Sequence, residues 1–128
     1  MSDNINVGDL IIRPKELSLI NHVGVYIGHG LVINNTPEKG EHICTIAEFA
    51  DGKDYTIQRT NADPAVVRAR VENIRSKPNK YAPLSNNCEH TAHFIIQGVK
   101  KSPQLVFWVV LAIVGLLIFC CTCKKVRA

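Results

Sequence analysis

An uninterrupted apolar run near the C-terminus, residues 105–121, constrains this chain more than any other sequence feature. As a helix the run is roughly 26 Å long, at the short end of what spans the hydrocarbon core of a bilayer. No charged residue interrupts it to form a solvent-facing side, which a helix in the core of a soluble domain usually has. The run therefore predicts one transmembrane helix, and a buried core helix is the alternative.

Basic residues at both ends of this run account for the charge of the whole chain. The chain has 15 Lys and Arg and 11 Asp and Glu, a formal net charge of +4. Ten of the basic residues and all the acidic ones lie in residues 1–99, a net charge of −1 for that part. The remaining five are Lys100, Lys101, Lys124, Lys125 and Arg127. Because these flank the apolar run, they suit lipid headgroups, and we expect no nucleic-acid partner.

The chain divides into a domain over residues 1–101 and a membrane anchor with a basic tail over residues 102–128. About a hundred residues are enough to bury a modest core. Residues 1–9 have neither a basic nor an apolar region of the kind found in signal peptides, so we expect a C-terminal anchor with a cytosolic domain. The domain contains only Cys44 and Cys88, which agrees with a reducing compartment.

The hydrophobic pattern of the domain changes from strands to helices along the chain. Alternating and β-branched segments predict short strands at residues 10–12, 22–28, 31–34, 42–46 and 55–59. Asp63 followed by Pro64 predicts a helix that ends near Ser76, and a second helix follows Asn87. We predict that residues 100–104 break that helix. Strands before helices indicate an α+β domain with an antiparallel sheet.

Three residues have the chemistry of a thiol-dependent active site. Cys88 falls in the first turn of a predicted helix, where free N–H groups and the helix dipole are expected to lower the pKa of a thiol. His22 begins a strand and could act as its base. Asn34, on the facing strand, could hold the imidazole in one tautomer. The alternatives are a small buried apolar role for Cys88 and an ordinary turn role for Asn34.

Three sequence segments resemble, in order and spacing, the lecithin:retinol acyltransferase-like family. They are VGDLI at residues 7–11, HVGVYIGHG at residues 22–30 and NCEH at residues 87–90. The resemblance extends over about residues 5–100 and the apolar run behind them. It is closest to the small phospholipase/acyltransferase branch with a C-terminal membrane helix, and the H-box/NC proteins of some picornaviruses look similar.

The resemblance implies a circularly permuted papain-like fold, related to NlpC-type peptidases, in which the strand with the histidine precedes the helix with the cysteine. By motif position it implies Cys88 as the nucleophile and His22 as the base. Two positions depart from the family pattern. Asn34 stands where this branch commonly has a second histidine, and Thr91 stands where the family usually has phenylalanine.

The function that the resemblance implies is a cysteine-dependent phospholipase A or acyltransferase. We expect it to act on glycerophospholipids through an acyl thioester, with water, an amine or a lysolipid as the acceptor. One alternative is a cysteine peptidase or amidase on the same fold. Another is a catalytically weak membrane adaptor, which the departure at Asn34 motivates. We expect no cofactor and no metal, because His90 and His93 share a predicted helix but lack further ligands.

Overall fold

The computed structural model describes residues 4–15 and 20–127, which form an α+β domain followed by one long helix. All strands pair antiparallel in one sheet with the order β4-β3-β2-β1-β5. The strands are β1 (Leu10–Pro14), β2 (Asn21–Gly28), β3 (Leu31–Thr36), β4 (Gly40–Thr45) and β5 (Thr56–Gln58). The helices are α1 (Ile46–Ala50), α2 (Pro64–Ser76), α3 (Cys88–Gln97) and α4 (Pro103–Arg127). The predicted α+β class with an antiparallel sheet is confirmed, and the sheet is followed by α2, α3 and α4, whereas α1 lies between β4 and β5.

Helix α1 was not predicted, and the strand predicted for residues 42–46 was wrong at its last residue. Ile46 begins α1 because Thr45 and Glu48 form a capping box. The Glu48 N–H donates to Thr45 Oγ1 at 3.2 Å, and the Thr45 N–H donates to Glu48 Oε2 at 2.7 Å. This reciprocal pair is a helix-start signal that the sequence contains. The helix is so short that no apolar periodicity accompanies the signal.

The two faces of the sheet pack against different partners. Helices α2 and α3 cover one face, where Val23, Val25 and Ile33 contact buried residues of both helices. On the opposite face, α1 inserts the buried side chain of Phe49 into a smaller cluster. Because successive residues of a strand point to opposite faces, His22 faces the α1 side whereas its neighbour Val23 faces the helices.

The segment with Gly8 and Asp9 ties the start of the chain to the end of β5. Gly8 has a φ of 99°, and a Cβ there would lie 3.2 Å from Ala62 Cβ. Asp9 is buried and accepts hydrogen bonds from the Asn6 N–H, the Thr60 N–H and the Arg59 side chain. Burial raises the pKa of Asp9, but these hydrogen bonds outweigh it and hold the pKa below the usual value. Gly8 and Asp9, in the segment VGDLI at residues 7–11, therefore have structural roles.

A buried polar network joins α3 to β3 and β4. Asn35 Nδ2 donates to Thr91 Oγ1 at 3.1 Å and to the Asn86 carbonyl at 2.8 Å. The Thr91 hydroxyl donates to Glu41 Oε1 at 3.0 Å, and Glu41 Oε2 accepts the Asn79 N–H at 2.8 Å. Threonine at position 91 is therefore matched by polar partners on the sheet, where phenylalanine would leave them unsatisfied. The network fixes the position of α3 on the sheet.

Helix α4 is long and apolar enough to cross a membrane, with a mean hydropathy of 2.9 and none of its apolar span buried by the domain. It begins at Pro103. The prediction that residues 100–104 separate α3 from the apolar helix was therefore wrong for Pro103 and Gln104, which are helical. Ser102 lies just before the helix, where its Oγ accepts the Leu105 N–H at 3.3 Å. Proline suits this first helical position because its missing N–H would have no partner within the helix.

Candidate active site

The structure brings His22 and Asn34 together. Strands β2 and β3 pair Val25 with Ile33, a register that puts His22 and Asn34 on the same face as diagonal neighbours. His22 Nε2 lies 3.0 Å from Asn34 Oδ1, and both side chains are buried. Because both partners are buried, this contact holds the imidazole ring in one orientation.

Contacts of its amide nitrogen orient the side chain of Asn34. Its Nδ2 donates to Cys44 Sγ at 3.3 Å and lies 3.5 Å from the His42 carbonyl. Since the amide nitrogen faces acceptors, the amide oxygen is left to face His22 and can only accept. The neutral ring of His22 therefore has its proton on Nε2, and Nδ1 keeps a free lone pair. Nδ1 is the nitrogen that can accept a proton from a thiol.

Phe49 supports the other side of the imidazole. The rings of His22 and Phe49 stack with centroids 5.0 Å apart and planes inclined by 21°. Arg13 holds Phe49 in place, because its Nε donates to the Phe49 carbonyl at 2.6 Å and its guanidinium lies 5.7 Å from the ring centroid. Neither Phe49 nor α1 was predicted from the sequence. The capping box at Thr45 and Glu48 was the signal that could have found both.

Burial controls the protonation of His22. Desolvation lowers the pKa of His22 from 6.5 to about 4, and the positive charge of Arg13 acts in the same direction. The hydrogen bond to Asn34 opposes this effect without cancelling it. At neutral pH the ring is therefore uncharged, which is the state that a general base requires.

Cys88 is the first residue of α3, as predicted, and its side chain is only 3 % exposed. Asn87 caps the helix, because its Oδ1 accepts the N–H groups of Glu89 at 3.0 Å and His90 at 3.1 Å. His90 completes the cap by accepting the Asn87 N–H through Nδ1 at 3.2 Å. The Asn87 side chain does not cap the N–H of Cys88 itself. The NCEH segment therefore forms the N-terminal cap of α3, with Cys88 as the first helical residue.

The sulfur of Cys88 lies against the backbone on both sides of His22. Its Sγ is 4.0 Å from the Asn21 carbonyl, and the Val23 N–H hydrogen-bonds to the sulfur. Between the described atoms of Cys88 and His22, no hydrogen bond joins the thiol to the imidazole. Cys88 therefore lies near His22 because its sulfur contacts the backbone of β2 on both sides of the histidine. The thiol and the imidazole do not form an ion pair in this structure.

The prediction that the pKa of Cys88 is lowered was wrong. Burial raises the pKa of the thiol, and the Val23 N–H and the charge of Lys15 only partly counteract this. The helix start was expected to stabilise the thiolate, but desolvation penalises the charged form more strongly at a site this enclosed. At neutral pH the thiol keeps its proton.

An open cavity of about 610 Å³ lies on the His22 side of the sheet. Its wall includes His22, Asn34, Phe49 and Tyr81, and among the described residues Cys88 is not part of this wall. Burial raises the pKa of Tyr81, and the neighbouring Cys88 adds to the shift, which puts the phenol near the thiol. The cavity also has charged residues of both signs: Arg13, Lys15, Lys39, Lys53, Glu38, Glu48 and Asp51. A ligand with both charges could be accommodated here.

The first turn of α4 is hydrogen-bonded to the site. Asn21 donates its N–H to Gln104 Oε1 at 2.9 Å, and Gln104 Nε2 donates to the Asn21 carbonyl at 3.2 Å. Glu89 Oε2 accepts the Ser102 hydroxyl at 2.6 Å and the Gln104 N–H at 3.0 Å. The residues flanking His22 and Cys88 are thus held by the start of the apolar helix. Gln104 was not predicted as a residue of the site, because residues 100–104 were expected to be a break between helices.

His42 lines the same cavity as His22, whereas His29 lies in a turn. His29 is exposed in the turn after β2 and has a φ of 54°. Within residues 4–15 and 20–127, no group of three or more His, Cys, Asp or Glu side chains is arranged to hold a metal ion. Both cysteines of the domain, Cys44 and Cys88, are free thiols.

No protein-family model matches the sequence, and a search of curated proteins also finds no match.

Proposed function

We propose that this chain is a cysteine-dependent phospholipase A or acyltransferase that acts on glycerophospholipids at a membrane. One observation carries the proposal: the Cys88 sulfur lies against the backbone that flanks His22, and His22 is bound through Nε2 to Asn34. A thiol, a base and an amide that orients the base are the parts that thiol acyl transfer needs. The sheet-then-helix order supports the circularly permuted papain-like fold that the resemblance implies.

In the proposed acylation step, Cys88 Sγ attacks the ester carbonyl of the lipid while His22 Nδ1 takes the thiol proton. The carbonyl oxygen becomes an oxyanion, for which the Cys88 N–H can serve as a donor. Such a donor contributes about 3 kcal/mol. The ester C–O bond then breaks, His22 returns the proton to the departing lysolipid oxygen, and the acyl group remains on sulfur as a thioester. The thiol must first approach Nδ1, a contact that commonly tightens only when substrate binds.

In the deacylation step, an acceptor hydroxyl or amine attacks the thioester carbonyl and gives its proton to His22. The C–S bond breaks, and His22 protonates the departing Cys88 sulfur. Water as the acceptor gives a phospholipase, whereas an amine or a lysolipid gives an acyltransferase. His22 is uncharged at neutral pH because its pKa is lowered to about 4, so the lone pair of Nδ1 is free to accept the proton.

Helix α4 supports a membrane substrate. We propose that it spans a membrane with the domain on the cytosolic side, where free thiols such as Cys44 and Cys88 persist. Because Gln104 binds both backbone groups of Asn21, the site would be held close to the headgroup region. A phospholipid would then meet the thiol without leaving the bilayer interface.

The test is the intact mass of the full chain in phosphatidylcholine nanodiscs, because the first turn of α4 is part of the site's support. We expect a fatty-acyl mass increment on the wild type, together with released lysolipid. Cys88→Ser and His22→Ala should show neither. Cys120→Ser and His29→Asn are matched controls outside the site and should behave as wild type. No increment and no released lysolipid or fatty acid from the wild type would refute the proposal.

A catalytically weak membrane adaptor is the second candidate, and one observation favours it. Both the thiol and the imidazole are buried and uncharged at neutral pH, because burial raises the pKa of Cys88 and lowers the pKa of His22. An adaptor would give no acyl increment and no lysolipid, although the purified chain is folded. On the same fold, a cysteine peptidase or amidase would form a peptidyl thioester, and the mass of the added group distinguishes it from a fatty acyl chain.

A further inference from the structure

A second cavity, of about 450 Å³, lies on the opposite side of the sheet from the His22 cavity. It is partly open and lies between β1, β2, the end of β5, α3 and the first turn of α4. Its apolar wall is formed by Leu10, Ile12, Val23, Ala92, Ile96 and Pro103. A cavity of this size is within the range of small-molecule sites. Neither the sequence resemblance nor the proposed chemistry assigns an occupant to it.

The cavity follows one side of α3 along its whole length. Its residues from this helix are Glu89, Ala92, His93, Ile96 and Gln97, which have the three- and four-residue spacing of a single helical face. From the first to the last of them the helix rises about 12 Å. The cavity is therefore elongated, with one end beside Cys88 and the other beside the C-terminal end of α3.

The near end of the cavity adjoins the thiol. Asn21 and Val23 both line the cavity, and the same two residues contact Cys88 Sγ, through the Asn21 carbonyl and the Val23 N–H. A ligand in the cavity that reached past Asn21 and Val23 would place one end at the sulfur.

The near end also adjoins the apolar helix. Pro103 and Gln104, the first two residues of α4, belong to the cavity wall. From there α4 continues as an exposed apolar helix, with Phe107 and Trp108 in its next turn. If α4 spans a bilayer, the near end opens at the interface, where acyl chains and ester groups of phospholipids meet.

The far end of the cavity is polar. Gln58, Thr60 and Gln97 line it, and Arg59 is held there by its ion pair with Asp9 at 2.6 Å. An apolar chain that entered at the near end would pass Val23, Ala92 and Ile96 and then meet these polar groups. The wall therefore sets a limit to the length of apolar chain that the cavity can bury.

We propose that this cavity binds the fatty acyl chain that is transferred to Cys88. The inference rests on the proposed function and adds the substrate site to it: the ester carbonyl lies at the sulfur, and the chain lies along α3. The lipid headgroup is left on the His22 side, in the cavity with charges of both signs. The acyl chain is favoured over a peptide because the near end adjoins the apolar helix and because Val23, Ala92 and Ile96 give the wall an apolar stretch, with Glu89 and His93 as polar side chains that α3 adds to it.

Photo-crosslinking tests the site without requiring catalysis. Full-length Cys88→Ser is placed in nanodiscs of phosphatidylcholine that has a diazirine in the middle of one acyl chain. After irradiation we expect label on peptides of β1 and α3, in addition to α4. Ile96→Trp, which fills the cavity, should reduce the β1 and α3 label at least fivefold. Val66→Trp, at an exposed position of α2, is the control and should leave the label unchanged.

The outcomes separate this proposal from the proposed function. Label confined to α4 would overturn the acyl site, and so would β1 and α3 label that is unchanged in folded Ile96→Trp. Neither result contradicts a thioester on Cys88 of the wild type, which is measured separately. Conversely, absence of the thioester does not affect the crosslink, because the crosslink is measured without the nucleophile. If Ile96→Trp shows no cooperative unfolding transition, it is not folded and is replaced by Ala92→Leu. This variant fills the cavity with a smaller group and is expected to reduce the β1 and α3 label at least twofold.

Discussion

His22 Nε2 lies 3.0 Å from Asn34 Oδ1, and the amide nitrogen of Asn34 is turned away toward Cys44 Sγ. This pair of contacts determines which ring nitrogen of His22 holds the proton. At this position, where the branch that the sequence resembles commonly has histidine, asparagine presents an acceptor to Nε2.

The first prediction concerns this acceptor. Asn34→Ala removes a buried hydrogen bond to His22, which is worth about 1–3 kcal/mol. We expect the rate of acyl-thioester formation to fall about 10- to 100-fold, since 1.36 kcal/mol corresponds to tenfold. Asn34→His, which restores the residue of the resembling branch, should retain at least a tenth of the wild-type rate. Equal rates for the wild type and Asn34→Ala would show that Asn34 does not orient the base.

The second prediction concerns Gly24, which lies directly beneath the supporting ring of Phe49. A Cβ at this position would lie 2.5 Å from Val32 Cγ1 and 2.8 Å from Phe49 Cε2. We expect Gly24→Ala to displace Phe49 and to destabilise the domain by about 1–3 kcal/mol, measured by chemical denaturation. Gly115→Ala is the matched control, because nothing lies within 4 Å of its Cβ position. An unchanged free energy of unfolding for Gly24→Ala would contradict the close approach.

The third prediction is a pH dependence of stability from His22. Its pKa is lowered from 6.5 to about 4 in the folded state, so between these values the unfolded chain binds the proton and the folded chain does not. Stability is therefore lost as the pH falls from about 6.5 toward 4, by about 2 kcal/mol between pH 7 and pH 5. The free energy of unfolding of His22→Gln should lose this part of the pH dependence.

The control for the pH dependence is His29→Asn, at an exposed turn position with a φ of 54°. Asparagine tolerates that backbone conformation better than most residues. This variant should keep the wild-type slope between pH 7 and pH 5. A wild-type slope that His22→Gln leaves unchanged would mean that the imidazole is not buried in its neutral form.

The fourth prediction concerns the reactivity of Cys88. Because burial raises the pKa of this thiol, only a small fraction is thiolate at neutral pH. We expect alkylation of Cys88 by iodoacetamide, followed by peptide mass mapping, to accelerate about tenfold per pH unit between pH 7 and pH 8. A rate that is independent of pH over this interval would reveal a thiolate already formed, as in an ion pair with His22.

The fifth prediction concerns the contact between α4 and the site. Gln104→Ala removes both hydrogen bonds to the backbone of Asn21. At about 1 kcal/mol per hydrogen bond, amide exchange at Asn21 should accelerate roughly 10-fold or more in nanodiscs. Gln97→Ala, at the end of α3, is the matched control and should leave exchange at Asn21 unchanged. Equal protection of Asn21 in Gln104→Ala and the wild type would show that this contact does not hold the strand.

Local sequence patterns were sufficient to predict much of this protein. The apolar run predicted α4, alternation predicted the hairpin of β2 and β3, and the Asn87 cap predicted that Cys88 begins a helix. The facing strands also brought His22 and Asn34 to one site. Each of these features depends on residues within a few positions of one another or on the periodicity of a single segment, so a sequence can reveal them.

Only the tertiary structure decided how the site is enclosed. Phe49 stacks on His22 through α1, and the contact of Gln104 with Asn21 joins residues 83 positions apart. The burial that raises the pKa of Cys88 arises from the packing of α3 against the sheet. The elongated cavity also exists only between elements. Desolvation and cavity shape depend on which distant segments meet, and no local pattern in the sequence encodes that.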